Sequence, residues 1–181
     1  FLLYGLEIIP MTIGGLIAQG FALAYPQRLK ALVLCNTASR LGDTASWTDR
    51  IAFIHANGMS ALAYPVMERW LSPGWRKANP DALSAWRKMF LRTDTNGYIG
   101  TCATLRDSDL RAEAGTIAAP TLVIAGSADL ATPPDLVETC ARSIAGAKFT
   151  LLDGVGHIPS IEQPAVLAGH IGTFFNEVRH G

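Results

Sequence analysis

The sequence predicts an α/β protein in which helices cover both faces of a parallel sheet. Short apolar runs of strand length recur along the chain, and they lack the strict alternation of a half-exposed sheet, as expected for strands covered on both faces. Helical patterns follow these runs, which is typical of right-handed strand–helix–strand units. Of the 181 residues, 49% are hydrophobic and only 17% are charged, so the chain has ample material for a core.

Four strands are predicted, each from a short run rich in Leu, Val, Ile or Phe. They occupy residues 1–6, 31–35, 121–125 and 148–152. A helix over residues 14–25 follows the first strand and stops before Pro26. Another helix begins with Thr132 as its N-cap and Pro133 in its first turn, and it ends near Ala145. An apolar stripe predicts one more helix near the C-terminus.

The first predicted strand, from Phe1 to Leu6, bears on association between copies. No earlier strand is available to cover it, so it would form an edge of a mostly apolar sheet. An uncovered apolar edge invites pairing with another chain. We therefore expect this strand to self-associate, to be covered by the middle of the chain, or to lie elsewhere.

The middle of the chain differs from its two ends. From residue 44 to residue 112 no run has strand character, and helical pieces alternate with glycine and proline. All four tryptophans lie in this segment, at Trp47, Trp70, Trp75 and Trp86. The predicted organisation is a core of residues 1–43 and 113–181 with a helical cap of residues 44–112. Such a cap often covers a site at the carboxyl ends of the strands, so at least two tryptophans should border one cavity.

Charge and cysteine content exclude several functional classes. The 15 basic and 15 acidic residues leave no net charge, which argues against a nucleic-acid-binding protein. No charge-free apolar run is long enough for a transmembrane helix. The Cys and His spacings match no zinc site, and no glycine-rich phosphate loop is present, so neither metal nor cofactor is expected. The three cysteines cannot close a disulfide framework, which predicts buried reduced thiols and a cytoplasmic protein.

Two polar residues follow the last two predicted strands at matching positions. Asp129 comes after the strand of residues 121–125, and His157 comes after the strand of residues 148–152. The carboxyl ends of parallel strands meet at one edge of the sheet, where catalytic groups gather. A histidine acts there as a general base when a carboxylate fixes its tautomer. We therefore predict a hydrogen bond between the two side chains; the alternatives are a capping aspartate and an ordinary loop histidine.

A nucleophile is expected between the first strand and the first helix, where a G-x-S-x-G turn would present a serine. No serine lies there. Counted back from the helix, Thr12 takes its position; counted forward from the strand, Glu7 does. A threonine hydroxyl can attack, although its β-methyl crowds a tight turn, whereas a carboxylate would imply different chemistry. Because residues 7–11, with Pro10 among them, lengthen the turn, we predict that Thr12 is displaced from His157 and that activity is weak or absent.

Five stretches carry a resemblance to a known family. They are residues 14–19 (Gly-Gly-Leu-Ile-Ala-Gln), 32–38 (Leu-Val-Leu-Cys-Asn-Thr-Ala), 94–107 around Gly-Tyr-Ile-Gly-Thr-Cys, 119–126 and 156–159 (Gly-His-Ile-Pro). With these stretches the chain resembles the α/β-hydrolase superfamily, and more closely the 3-oxoadipate enol-lactonases of aromatic catabolism. The second and third stretches are fairly specific to the lactonases, and the others are common in the superfamily.

The resemblance implies an α/β-hydrolase fold and a catalytic triad. Asp129 looks like the triad acid and His157 like the base, with Thr12 at the nucleophile position. The backbone N–H of Ile13 would be one oxyanion donor. The implied reaction is hydrolysis of a carboxylated enol-lactone, a small molecule, to 3-oxoadipate without a cofactor.

The carboxylate of such a substrate calls for a cation in the binding site. Arg69, beside Trp70, and Arg92 are the candidates, and a solvated surface charge is the alternative for each arginine. Two alternative functions stay open. One is a hydrolase-like fragment that folds without turnover, and the other is a relative that uses Glu7 as a carboxylate nucleophile.

Overall fold

The structure is a computed structural model that describes residues 6–180. Within that part of the chain, four parallel strands form one sheet in the order β1-β2-β3-β4. The strands are Leu6–Ile8 (β1), Leu29–Cys35 (β2), Thr121–Gly126 (β3) and Lys148–Leu152 (β4). The last three predicted strands are confirmed, with β2 beginning two residues earlier and β3 ending one residue later than expected.

Nine α-helices accompany the sheet in the described residues. They are Ile13–Ala24 (α1), Thr44–Asn57 (α2), Ala63–Trp70 (α3), Pro73–Ala78 (α4), Pro80–Leu91 (α5), Thr95–Asp107 (α6), Pro134–Ser143 (α7), Pro159–Glu162 (α8) and Pro164–His180 (α9). Short 3-10 turns lie at Pro26–Arg28, Met59–Leu62 and Ala114–Thr116. Helices α2 to α6 follow one another without a strand, as the absence of strand-like runs predicts.

The structure places strand residues beyond the end of the first predicted strand. Residues 1–5 lie outside the described residues, and the proposed self-association through this strand falls largely on them. The described strand begins at Leu6, where the prediction ended. Beyond β1 the chain continues to Met11, which pairs with Cys35 in a parallel bridge, and Cys35 N–H donates to the Pro10 carbonyl at 3.0 Å. A proline with φ near −65° fits such a path, so Pro10 does not break the approach to α1.

Helices cover both faces of the sheet, and successive residues of β2 and β3 therefore enter opposite cores. One core contains α1 and α7 together with Leu32, Leu34, Val123 and Ala125. The other contains α9 together with Ala31, Val33, Leu122 and Ile124. All eight strand residues are almost fully buried. This two-sided burial explains why the strands are continuously apolar in sequence.

The helical insert α2–α6 has a hydrophobic cluster of its own. Its buried members include Ile54, Val66, Met67, Phe90 and Cys102, and Trp75 and Trp86 pack against them. Capping side chains fix two of its helix starts. Asp43 caps α2 by accepting from Ser46 N–H at 2.8 Å, and Asp94 caps α6 by accepting from Gly97 N–H at 2.7 Å. Over residues 6–180, no helix is long and apolar enough to cross a bilayer.

Two glycine substitutions should distinguish the steric cost of a new side chain in the sheet from the gain in helix propensity on a free helix surface. At Gly126 in β3, an added Cβ would lie 2.3 Å from the Val155 carbonyl oxygen and 2.4 Å from that of Gly156. Because the obstacle is backbone, Gly126→Ala should lower the free energy of unfolding by about 1–3 kcal/mol. Gly20→Ala, inside α1 with no atom near the new Cβ, should raise it by roughly 0.5–1 kcal/mol. The free energy of unfolding of both variants is measured by urea denaturation. A change of the same sign and size in both would contradict the expectation.

Candidate active site

Thr12 lies on a sharp turn between the extended chain after β1 and helix α1. Its backbone has φ 47° and ψ −117°, a positive-φ conformation that is costly for a β-branched residue. The Thr37 hydroxyl donates to the Thr12 carbonyl oxygen at 2.6 Å and helps to hold this turn. The turn reads Pro10-Met11-Thr12-Ile13-Gly14, so proline and threonine stand where the G-x-S-x-G pattern has its first glycine and its serine.

A chain of hydrogen bonds runs from this turn into the protein. Thr12 Oγ1 lies 2.5 Å from His157 Nε2, and His157 Nδ1 lies 2.8 Å from Asp129 Oδ2. His157 and Asp129 are only 3% and 2% exposed. The prediction that residues 7–11 displace Thr12 from His157 is therefore wrong. These residues do not bulge out between strand and helix; they extend the chain beside β2 and deliver Thr12 to the turn.

Asp129 accepts hydrogen bonds on both carboxylate oxygens. Besides His157, Oδ2 accepts from Asn36 Nδ2 at 2.8 Å and from the Thr132 hydroxyl at 2.5 Å. Oδ1 accepts from the backbone N–H groups of Ala131 and Thr132, at 2.7 and 3.0 Å. Burial raises the pKa of Asp129, but the hydrogen bond and attraction of His157 and the bonds from Thr132 and Asn36 outweigh it and lower the pKa below its ordinary value. The carboxylate thus stays ionised and orients the imidazole.

Sequence reasoning missed Asn36 and gave Thr132 a different role. Asn36 directly follows β2, is fully buried, and has φ 45°, which asparagine tolerates better than most residues. Its position after a strand and its place in the stretch of residues 32–38 were the signals available. Thr132 was predicted to cap α7, but Pro133 occupies the N-cap position. The Thr132 hydroxyl donates to Asp129 instead, because the loop turns back over that carboxylate.

Ile13 is the first residue of α1, directly after Thr12. Its N–H has no helix carbonyl four residues earlier to which it could donate, because the helix starts there. Such an N–H, at the positive end of a helix, favours negative charge. It is suited to an oxyanion that forms beside the Thr12 hydroxyl.

Glu7 lies away from this arrangement. It is an exposed residue of β1, and its carboxylate is 3.4 Å from the guanidinium of Arg179 in α9. It does not line the cavity that contains Thr12 and His157. The alternative in which Glu7 acts as the nucleophile is therefore wrong.

A cavity of about 490 Å³ lies between the helical insert and the residues that follow the strands. Thr12, Ile13 and His157 line its floor, and Trp47 and Trp70 are among its walls. The other two tryptophans pack inside the insert. The insert thus brings two of its four tryptophans to one cavity beside the predicted catalytic side chains. Across the described residues, no group of three or more His, Cys, Asp or Glu side chains could hold a metal ion.

Arg50 and Arg69 both line this cavity, and among residues 6–180 no aspartate or glutamate lines it. Both arginines lie near Tyr98: burial raises the pKa of its phenol, and the two cations act in the opposite direction. Neither arginine belongs to an ion pair among the described residues. Arg92, the other predicted cation, is exposed at the end of α5 and outside the cavity. No sequence pattern marks Arg50, which lies in the middle of α2.

The insert is tied directly to the loop that carries His157. The His157 N–H donates to the Trp70 carbonyl at 2.8 Å. Glu162 bridges the same two segments, since its carboxylate accepts from Ser72 N–H at 2.8 Å, from the Ser72 hydroxyl at 2.5 Å and from Gly156 N–H at 3.2 Å. A Cβ on Gly156 would lie 2.7 Å from the Trp70 carbonyl oxygen, so only glycine allows this approach. The end of α3 and the His157 loop are therefore held as one unit.

Removing the Glu162 carboxylate should reveal the strength of that bridge. Glu162→Ala leaves two backbone N–H groups and one hydroxyl without their acceptor. We expect the free energy of unfolding to fall by about 1–3 kcal/mol. The control is Glu138→Ala, which removes an exposed helical ion pair with Arg142 and should cost about 0.5 kcal/mol or less. The free energy of unfolding of both variants is measured by chemical denaturation. Equal decreases would show that the Glu162 bridge stabilises the fold no more than an exposed ion pair does.

Comparison with known proteins identifies a family for this chain. Residues 8–164 match the family described as serine aminopeptidase, S33. The crystal structure of the enol-lactonase from Burkholderia xenovorans LB400 superimposes with a TM-score of 0.90 at 33% identity, covering 96% of this chain and 66% of that one. A hydrolase structure from Pseudomonas aeruginosa PA01 gives a TM-score of 0.88 at 35% identity, covering 96% and 65%.

Curated relatives give the same picture at lower identity. The 3-oxoadipate enol-lactonase 2 of Acinetobacter baylyi is 27% identical over 154 residues, which is 85% of this chain and 57% of the relative. The pimeloyl-[acyl-carrier protein] methyl ester esterase of Chromobacterium violaceum is 29% identical over 178 residues, covering 92% and 70%. The chain thus spans less than three-fifths of that enol-lactonase. With a family match over most of its length and solved α/β-hydrolases superimposing on it, the chain belongs to the serine aminopeptidase S33 family and has the α/β-hydrolase fold.

Proposed function

We propose that the protein hydrolyses a small anionic lactone or ester through an acyl-threonine intermediate. The observation that carries the proposal is the hydrogen-bond chain from Thr12 through His157 to Asp129 at the floor of a cavity that contains two arginines. A hydroxyl, an imidazole and a buried carboxylate in this order form the arrangement of nucleophile, base and orienting acid found in serine hydrolases.

Each residue has a defined part in the proposed reaction. Thr12 Oγ1 attacks the lactone carbonyl carbon while His157 Nε2 takes the hydroxyl proton. The carbonyl oxygen becomes an oxyanion, which the Ile13 N–H stabilises. The ring C–O bond then breaks, His157 returns its proton to the leaving group, and the acyl group stays on Thr12. A water molecule, deprotonated by His157, releases the acid and restores Thr12.

The proposed substrate is 3-oxoadipate enol-lactone, which would place the enzyme in aromatic catabolism. Two arginines in the cavity, without a lining carboxylate, favour a substrate that carries its own carboxylate. Tryptophan walls suit a small ring, and a cavity of about 490 Å³ is of the size that takes small ligands. The enol-lactonases among the relatives support this choice over other esters.

A cytoplasmic location is part of the same proposal. It rests on the three cysteines, Cys35, Cys102 and Cys140, which are free and buried. Burial raises the pKa of the Cys35 thiol to about 12, so this thiol is not ionised near neutral pH.

The proposed reaction uses only the side chains and backbone groups named above and therefore requires no cofactor.

Charge neutralisation in the cavity tests the substrate class. Arg50→Gln keeps a long polar side chain but removes a cation from the cavity wall. We expect the KM for 3-oxoadipate enol-lactone to rise by about 10- to 100-fold, the loss of one charge-assisted hydrogen bond, with a smaller change in kcat. The KM for an uncharged lactone of similar size should hardly change. Steady-state hydrolysis of both lactones is the measurement.

Arg92→Gln is the matched control, because it makes the same chemical change outside the cavity. It should leave both KM values within about twofold. The proposed substrate class fails if Arg50→Gln affects the charged and the uncharged lactone equally. The proposed function fails if the unaltered protein hydrolyses neither.

A further inference from the structure

A second cavity of about 370 Å³ adjoins the catalytic cavity. It lies between helices α3 and α5 of the insert and α8 of the core, and its walls are mainly apolar, with Met67, Leu71, Trp86, Phe90 and Ile161 among them. Within the described part of the chain, no charged residue lines it. Met89, which is 55% exposed, marks a connection to the protein surface. The second cavity is therefore suited to an uncharged apolar group.

Two residues line both cavities, Trp70 and Ile158. The Trp70 ring lies 6.3 Å from the ring of His157, tilted by 31°, and 5.8 Å from the ring of Phe90, almost perpendicular at 88°. His157 lines the catalytic cavity, and Phe90 lines the second one. The indole therefore stands as a wall between the two spaces, and Ile158 completes that wall from the core side.

We infer that Trp70 sets the length of the acyl chain that the enzyme accepts, by separating the catalytic cavity from an apolar cavity that fits an alkyl chain. This inference rests on the proposed hydrolase function. With the indole in place, the bound molecule is confined to the cavity that contains Arg50 and Arg69, which selects short anionic substrates. With the indole removed, an alkyl chain anchored near Thr12 extends past residue 70 into the second cavity.

Substitution of Trp70 leaves the catalytic base in place. The contact between this residue and the His157 loop is a backbone hydrogen bond, since the His157 N–H donates to the carbonyl oxygen of residue 70. Any residue supplies that carbonyl. Glu162 binds Ser72 and Gly156 independently of the indole. A change of side chain at this position therefore acts on the wall more than on the triad geometry.

The test measures binding, so that it does not depend on turnover. Straight-chain carboxylates from butanoate to decanoate are titrated calorimetrically into the unaltered protein and into Trp70→Ala, Trp70→Leu, Ile158→Ala and Trp86→Ala. The unaltered protein should reach its highest affinity at a short chain length. In Trp70→Ala the affinity should keep rising by about fourfold for each further methylene buried. Ile158→Ala opens the same wall from the other side and should show a weaker rise.

Trp86→Ala is the control, because Trp86 lines only the second cavity and leaves the wall intact. In Trp86→Ala the affinity should stop rising at the same chain length as in the unaltered protein. If Trp70→Ala fails to fold, the Trp70→Leu series is compared with that of the unaltered protein instead. The inference is overturned if every series, including those of both Trp70 variants and Ile158→Ala, levels off at the same chain length. Failure of the unaltered protein to hydrolyse lactones would overturn the proposed function alone, since the binding series is read without catalysis.

Discussion

Replacing Asp129 by asparagine should lower kcat/KM for lactone hydrolysis by about 10⁴-fold, the loss seen when the orienting carboxylate of a catalytic triad is removed. The carboxylate accepts the His157 Nδ1–H, which leaves Nε2 facing Thr12 as the base. An asparagine amide can donate to Nδ1 and so stabilise the tautomer whose Nε2 carries the proton. That tautomer cannot take the proton of the Thr12 hydroxyl.

The control for this change is Asp153→Asn. Asp153 lies in the loop before His157 and accepts a hydrogen bond from Ser127 at 3.2 Å at the surface. Its substitution removes an equal charge from the same loop and should change kcat/KM by less than about twofold. A loss of the same size in both variants would assign the effect to net charge and not to the imidazole.

The lowered pKa of Asp129 also predicts how stability depends on pH. The folded protein binds the proton less tightly than the unfolded chain, whose aspartate titrates near pH ~3.9. The carboxylate thus stabilises the fold fully above that pH, and this contribution is lost as the pH falls through the lower pKa of the folded state. The unfolding free energy of the unaltered protein should therefore fall more steeply in acid than that of Asp129→Asn. Parallel curves from urea unfolding across pH 3 to 7 would contradict this.

The interior strands and the acid and base of the candidate site could be predicted from the sequence alone. β2 and β3 are buried on both faces, and two-sided burial leaves an unbroken apolar run that can be recognised without a structure. Asp129 and His157 follow two neighbouring parallel strands, so topology alone brings them to the same edge of the sheet.

The sequence did not suffice for the nucleophile turn. The apolar run from Phe1 to Leu6 suggested a strand that ended too early, because the polar Glu7 interrupted it and Pro10 looked like a break. In a three-residue edge strand, one exposed glutamate costs little, and a proline still offers its carbonyl to the neighbouring strand. Arg50 and Asn36 were missed for a different reason. Their partners lie far away in sequence, and only tertiary contacts bring them to the site.

Thr12 combines a catalytic position with a strained backbone, and two truncations should separate these properties. Thr12→Ala and Thr12→Gly both remove the hydroxyl and its bond to His157. They differ in that glycine accepts φ 47° without a steric cost, whereas alanine does not. The glycine variant should therefore be more stable than the alanine variant by about 1–2 kcal/mol in urea unfolding. Equal stabilities would show that the turn stores no strain.

Activity should depend directly on the Thr12 hydroxyl. Thr12→Ala removes the attacking oxygen, so kcat should fall by at least about 10³-fold and an acyl-enzyme should no longer accumulate. Thr12→Ser keeps that oxygen and removes the β-methyl group, which crowds the approach of a carbonyl carbon on a tight turn. We expect Thr12→Ser to raise kcat by about 10-fold, the equivalent of roughly 1.4 kcal/mol of steric strain, and to increase the rate of labelling by a fluorophosphonate. Lactone hydrolysis and mass spectrometry of the labelled protein measure both effects. If Thr12→Ala retained full turnover, the hydroxyl would not be the nucleophile, and the hydrogen bond of Thr12 to His157 would be only structural.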